Sequence, residues 1–121
     1  MPEPFTEMLS SLVNRVDGAL GAAFVDSSGE AVESLSADEN NDLIDLMGAY
    51  QGIAFQASRR IVDQLDAGSI DYFYTSYEEA SFLIKALDQD YFIMLVLGPE
   101  ANLGQGIYNV RRAAEAFNRE I

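Results

Sequence analysis

The chain has 121 residues, the length of one domain, and its 49% hydrophobic and 22% charged residues exclude a disordered or low-complexity polymer. Twenty acidic against seven basic side chains give a formal net charge of −13, which excludes the basic stripe that nucleic acid or an anionic membrane surface requires and favours partners of positive charge. With no cysteine and no histidine, the chain has no disulfide or thiolate chemistry and lacks the commonest general base and metal ligand; a reducing compartment is expected.

The first residues, MPEPFTEML, have neither the basic stretch nor the apolar core of a signal peptide. The longest apolar run, Tyr91 to Gly98, is far shorter than the roughly 20 residues of a membrane helix, so the chain is expected to be soluble and cytoplasmic, with no membrane insertion. After Pro2 and Pro4, the residues Phe5, Met8, Leu9, Leu12, Val13 and Val16 recur at helical spacing, and Asp17-Gly18 stops that helix. Ala19 to Asp26 (ALGAAFVD) is apolar at nearly every position and reads as a strand covered on both faces. Ser27-Ser28-Gly29 turns the chain, and Glu30 to Leu35 returns as a second strand.

Ser36-Ala37-Asp38-Glu39 has capping-box spacing and predicts a long helix from about Asp38 to about Asp66, stopped by Gly68. Ser69 to Tyr77, rich in Tyr, Phe and Ile, reads as a third strand, and Glu78-Glu79 as a turn. Ala80 to Leu87 is a fourth strand, with Phe82, Ile84 and Ala86 on one face and Leu83, Lys85 and Leu87 on the other. Asp88-Gln89-Asp90 turns into a fifth strand, Tyr91 to Gly98. Leu103, Ile107, Val110, Ala114, Phe117 and Ile121 form the stripe of a last helix, with Asn102 at its cap and Gln105 at capping-box spacing. The fold class is α+β: a single domain over residues 1–121, ordered α-β-β-α-β-β-β-α, with a five-stranded antiparallel sheet and helices on both faces.

Motifs for chemistry are incomplete. Gly98, Gly104 and Gly106 sit where a strand gives way to a helix, as in a phosphate cradle, but the lysine and hydroxyl of a Walker loop are missing, as is the third glycine of a dinucleotide fingerprint. The loop reads as a helix start. Asp38, Glu39 and Asp42 crowd a helix N-terminus, where the dipole favours them, and Glu78-Glu79 sits in a hairpin turn; neither group reads as a carboxylate pair for catalysis. DENND, Asp38 to Asp42, lacks the glycine and the closing glutamate of a calcium loop. No catalytic residue, cofactor or metal site is expected, and the chain reads as a non-enzyme.

The long helix carries two apolar stripes. One runs through Leu43, Leu46, Met47, Tyr50, Ile53, Ala54, Ala57, Ile61 and Leu65, the other through Ile44, Gly48, Phe55 and Val62. A surface helix needs one stripe to cover a sheet. Either the helix is buried by its own sheet, or one stripe meets a second copy, with Gly48 and Gly52 placed for close approach of another backbone. The third strand, IDYFYTSY, is aromatic on both faces and almost uncharged, a template for edge pairing. The candidate interface is therefore Leu46, Met47, Tyr50, Ile53, Ala54, Ala57 and Ile61 with Tyr72 and Tyr74. Arg59 and Arg60 read as local partners of Asp63 rather than as an arginine finger, and Arg111 and Arg112 as partners of Glu115.

Two stretches resemble the roadblock / dynein light chain domain family. The small-residue strand with Val25-Asp26-x-x-Gly29 and a second strand is similar to its beginning. LGPEANLGQGIYNVRRAAEAF, with Asn102-Leu103-Gly104 before an arginine-bearing helix, is similar to its end. The match covers about Glu7 to Asn118. The resemblance implies a non-enzymatic homodimer, formed through the long helix (Leu43 to Leu65) and the third strand (Ile70 to Tyr77). It also implies a small Ras-like GTPase as partner in bacterial and archaeal members, and a scaffolding role in eukaryotic ones. The chain stops at Ile121 without the extension that some GTPase-activating members carry, so binding rather than activation is implied. The alternative is a monomeric profilin-like or PAS-like sensory domain with a small molecule between helix and sheet.

Overall fold

The most apolar stretch of the chain becomes the middle of the molecule. In the computed structural model, which describes residues 3–36 and 42–121, strand β5 (Phe92–Leu97) lies between β1 (Ala19–Val25) and β4 (Ser81–Ala86). The edges are β2 (Ala31–Ser36) and β3 (Tyr72–Ser76), so the strand order is β2-β1-β5-β4-β3, antiparallel throughout. Leu95 pairs with Ala22 on one side and Leu83 on the other, and Met94 with Ala23 and Ile84. Successive side chains point to opposite faces. Phe24, Leu83, Ile93 and Leu95 therefore enter one core, and Phe82, Ile84, Phe92 and Met94 the other. The alternation read from the sequence for the fourth strand holds.

Two helices, α1 (Glu3–Arg15) and α3 (Leu103–Glu120), cover the first face. Phe5 of α1, Phe24 of β1 and Phe117 of α3 meet there, with ring centroids 4.6, 4.9 and 5.6 Å apart. The other face has one helix, α2 (Asp42–Gln64). Its Phe55 is fully buried, 5.0 Å from Phe92 and 5.8 Å from Phe73. Such aromatic pairs add about 0.5–1.5 kcal/mol beyond the area they bury.

Ala37, Asp38 and Glu39 of the expected capping box, with Asn40 and Asn41, lie outside the described residues. The far end of α2 differs from expectation. Asp66, at φ 52°, takes the left-handed conformation, its amide donates to the Asp63 carbonyl, and the Ala67 amide donates to the Val62 carbonyl at 3.1 Å. This is a Schellman closure, and it ends the helix before Gly68 is reached. An aspartate tolerates the left-handed region better than most residues, which is why the glycine misled. Gly68, at φ 94°, follows in the connection to β3.

The glycine loop before α3 is a joint between helices. The Asn102 side chain accepts from the Gln105 amide at 3.0 Å, capping α3 as expected. Gln105 does not reach back to complete the box; its Oε1 accepts from the Asp17 amide at 2.9 Å and ties α3 to the end of α1. The Gly98 amide donates to the Gly18 carbonyl at 2.8 Å. Gly18, at φ 83°, lies so close to Ala101 that a Cβ would stand 2.9 Å from its Cα. The amides of Gly98, Ala101, Gln105 and Gly106 all donate within the chain, which answers the phosphate-cradle question in favour of structure.

Replacing Asn102 by Ala should cost about 1 kcal/mol, the usual worth of an N-cap side chain, read as a lower urea midpoint at unchanged slope.

Candidate interaction surface

The two stripes of α2 separate by burial. Ile44 and Phe55 are buried against the sheet and Val62 is half-buried. Gly48 and Gly52 share this inner side: a Cβ on either would stand 3.5 Å from Met94 Sδ or from the Phe92 ring. The two glycines thus bring α2 close to its own sheet, which corrects their reading as an approach site for another backbone. The outer stripe remains in solvent. Leu46, Tyr50, Ile53, Ile61 and Leu65 are 55–72% exposed. Ala54 beside them is exposed, and Met47 and Ala57 are half-buried. Full burial of such a side chain is worth about 1.5–3 kcal/mol, and contiguous exposed apolar surface of this kind marks an interaction site.

Among the described residues, β3 pairs with β4 alone, so its outer backbone edge is unpaired. Tyr72 and Tyr74 lie on the α1/α3 side of the sheet. Tyr72 packs on the core of that face, its hydroxyl accepts from Arg111 Nε at 3.1 Å, and Lys85 Nζ stands 5.0 Å from its ring centre. The α2 residues and the two tyrosines expected with them therefore occupy opposite faces. Phe73 and Thr75, on the other face of β3, meet the inner side of α2 at Phe55 and Gln51.

Gln51 holds these parts together. It is 6% exposed; Thr75 Oγ1 donates to its Oε1 at 2.8 Å, and its Nε2 donates to the Tyr77 hydroxyl at 2.8 Å. The sequence reading passed over it. Its signal was a polar residue seven positions after Ile44 and four before Phe55, on the sheet side of α2.

Arg59 finds another acid than the one expected, while Arg111 and Arg112 feel the expected Glu115 less than the hydroxyls they donate to. Arg59 donates to the Asp90 carbonyl at 3.3 Å and lies 3.8 Å from its carboxylate, with the guanidinium 4.7 Å over the Phe55 ring. Arg111 and Arg112 donate to the hydroxyls of Tyr72 and Tyr108, contacts that hold both guanidinium groups still more firmly protonated. Asp26 organises the β1–β2 turn. Its Oδ1 accepts from the Ser28 hydroxyl at 2.6 Å and from the amides of Ser28 and Glu30, contacts that hold the carboxyl below its ordinary range, with Gly29 at φ 94° beside it. Val25-Asp26-x-x-Gly29 is thus a turn device.

A groove of about 410 Å³ lies between α2 and the β1–β2 side of the sheet, lined by Leu20, Ala23, Ala31, Ile44 and Met94, with Asp45. Among the described residues no three metal-ligating side chains converge, and no helix is long and apolar enough to cross a membrane.

No family model matches the chain, and no curated protein does. Solved structures do. The chain is similar to MglC from Myxococcus xanthus, at 29% identity and TM-score 0.70, over 98% of this chain and 99% of that one. It is similar to a roadblock/LC7 domain from Streptomyces avermitilis, at 16% identity and TM-score 0.80, over 94% of each chain. The fold is that of the roadblock/LC7 domain. The gliding protein MglB from Thermus thermophilus shares it, at 20% identity and TM-score 0.81, over 97% of this chain and 87% of that one. In this roadblock fold the exposed stripe belongs to the single helix of one face, and the unpaired edge to the strand beside it.

Changing Gln51 to Leu should cost about 1–3 kcal/mol by orphaning two hydroxyls and should speed hydrogen exchange along β3. Asp26 gives a pH dependence of definite sign. Its carboxylate is favoured in the folded chain, so its stabilising contribution is complete above the ordinary carboxylate range and is lost as pH falls through the lowered value. Amide protection at Ser28 and Glu30 should fall with it, and Asp26→Asn should flatten the response.

Proposed function

We propose that the chain is a non-enzymatic homodimeric regulator or scaffold that binds a small Ras-like GTPase. The observation that carries the reading is the exposed apolar stripe of α2, a helix that Gln51 ties to β3, whose outer edge is unpaired among the described residues. Two copies related by a two-fold axis bury Leu46, Tyr50, Ile53 and Ile61 against one another and join their β3 edges into one sheet. The likeness to MglC and MglB, the second also solved in a tetrameric arrangement, supports assembly, and the family resemblance read from the sequence implies the GTPase partner. The acidic surface steers a partner with a basic docking face. Arg59 is committed to Asp90 and Phe55 within its own chain, which argues against an arginine finger and for recruitment rather than catalysis in trans.

The groove of about 410 Å³ between α2 and the β1–β2 strands favours a second reading, a small-molecule sensor, since its volume is that of a ligand pocket. Its lining of small apolar residues, with Asp45 as the charged group, offers few polar groups to fix a ligand.

Light scattering over a range of concentrations should give a stable mass near twice 13.3 kDa. Ile53→Asp should halve it without loss of circular dichroism, because Ile53 is 61% exposed in the single chain. A monomer at every concentration would overturn the dimer. A small Ras-like GTPase from the same genome should co-elute with the wild type, and any stimulation of GTP turnover should survive the double change Arg59→Ala and Arg60→Ala. Loss of all stimulation would restore the finger.

A further inference from the structure

The basic residues of this acidic chain are unevenly placed. Three of the seven, Arg15, Arg112 and Arg119, line one groove of about 220 Å³ between α1 and α3, on the sheet face opposite α2. The ion pairs among the described residues use Arg59 and Lys85, and none of the three groove arginines has a described carboxylate within 4.0 Å. Two of them are held by neutral hydroxyls: Arg15 Nε donates to Ser11 Oγ at 3.0 Å, and Arg112 Nη1 donates to the Tyr108 hydroxyl at 2.9 Å. A guanidinium has five N–H donors, so each keeps most of its donors for a ligand, although the guanidinium of Arg112 lies 5.7 Å from the Tyr108 ring centre and feels the Glu115 carboxylate. In a chain with twenty acidic side chains, three arginines left without a described carboxylate partner in one concavity form an anion-accepting surface.

We propose that the α1–α3 groove docks an acidic peptide segment of a partner protein, with carboxylates on Arg15, Arg112 and Arg119 and an apolar side chain seated on Ala113 and Ala116. The spacing fits a peptide. Arg112 and Arg119 are seven residues apart on one helix, about 10 Å along its axis. A segment in the polyproline II conformation has three residues per turn and rises about 3.1 Å per residue, so residues three apart share one side, span about that distance and meet both arginines when acidic. Between the arginines the lining mixes the half-buried Met8, Ala113 and Ala116 with the polar Ser11 and Asn109, which leaves an apolar spot for one side chain between the charges. A net charge of −13 opposes a long polyanion such as nucleic acid or an anionic bilayer. A short segment inside the groove is screened from remote carboxylates beyond a Debye length of about 10 Å. The surface is independent of the α2 stripe and of the dimer proposed above.

The test uses the full chain and a dye-labelled twelve-residue peptide of leucine and serine with glutamate at every third position, followed by fluorescence anisotropy. Wild type should bind it, more weakly as salt rises. The double change Arg112→Gln and Arg119→Gln should weaken binding by about tenfold or more, as expected for loss of charge-assisted contacts. Arg60→Gln, an exposed arginine of α2, should bind as wild type. The arginines changed are all exposed, so the unfolding midpoint should stay near that of wild type; the single change Arg119→Gln, with a smaller loss, serves if the double variant unfolds. The proposal is overturned by equal binding of the same peptide with glutamine for glutamate, by an equal loss in Arg60→Gln, or by undiminished binding in the double variant. It is also overturned if the three arginines bind phosphatidylserine vesicles or a short DNA duplex and not the peptide.

Discussion

A five-stranded sheet that is apolar on both faces must be covered on both, and one helix is too narrow to do it. Strands stand about 4.8 Å apart, so the sheet is about 20 Å wide, while a helix with its side chains spans about 10–12 Å. On one face α1 and α3 together meet the requirement and close a core around Phe5, Phe24 and Phe117. On the other face α2 stands alone among the described residues, close over Phe92 and Met94 through Gly48 and Gly52. The rest follows from that shortage: a groove toward β1–β2, an apolar outer stripe on α2, and an exposed edge at β3.

Gln51 shows how the arrangement is held. A polar side chain facing the sheet would be costly without partners, and here Thr75 and Tyr77 satisfy both ends of its amide. The contact ties α2 to the edge strand β3 and to Tyr77 just beyond it. In the dimer proposed, a second copy supplies apolar cover for Ile53 and Tyr50 and backbone partners for β3.

Charge is divided between the two faces. The α2 side carries Arg59 locked onto Asp90 and Phe55, a structural role. The α1/α3 side carries arginines turned toward hydroxyls, with no described carboxylate within 4.0 Å of Arg15, Arg112 or Arg119. A molecule that is acidic as a whole thus offers one positive concavity, and that asymmetry distinguishes a local recognition site from a surface that is charged for solubility.

Element order, antiparallel pairing and the alternation of β4 were legible in the sequence, because burial on a pleated surface imposes a period of two and amphipathic helices impose 3.6. The N-cap at Asn102 and the two-stripe character of the long helix were legible for the same reason: spacing along one element is a local property. The candidate site was legible in part. Leu46, Tyr50, Ile53 and Ile61 could be placed on one stripe, but which stripe faces the sheet depends on the fit of Phe55 and the glycines over Phe92 and Met94. Tyr72 and Tyr74 went to the opposite face because strand register is fixed by pairing with β4, through Tyr72 with Lys85 and Tyr74 with Leu83. The partners of Arg59, Arg111 and Gln105 lie 31, 39 and 88 residues away. The sequence by itself determined which elements form and which faces are apolar, since those depend on neighbours a few residues apart. Only the tertiary structure decided which apolar face stays in solvent and which arginines stay without a described carboxylate partner, because both depend on what distant segments bring alongside.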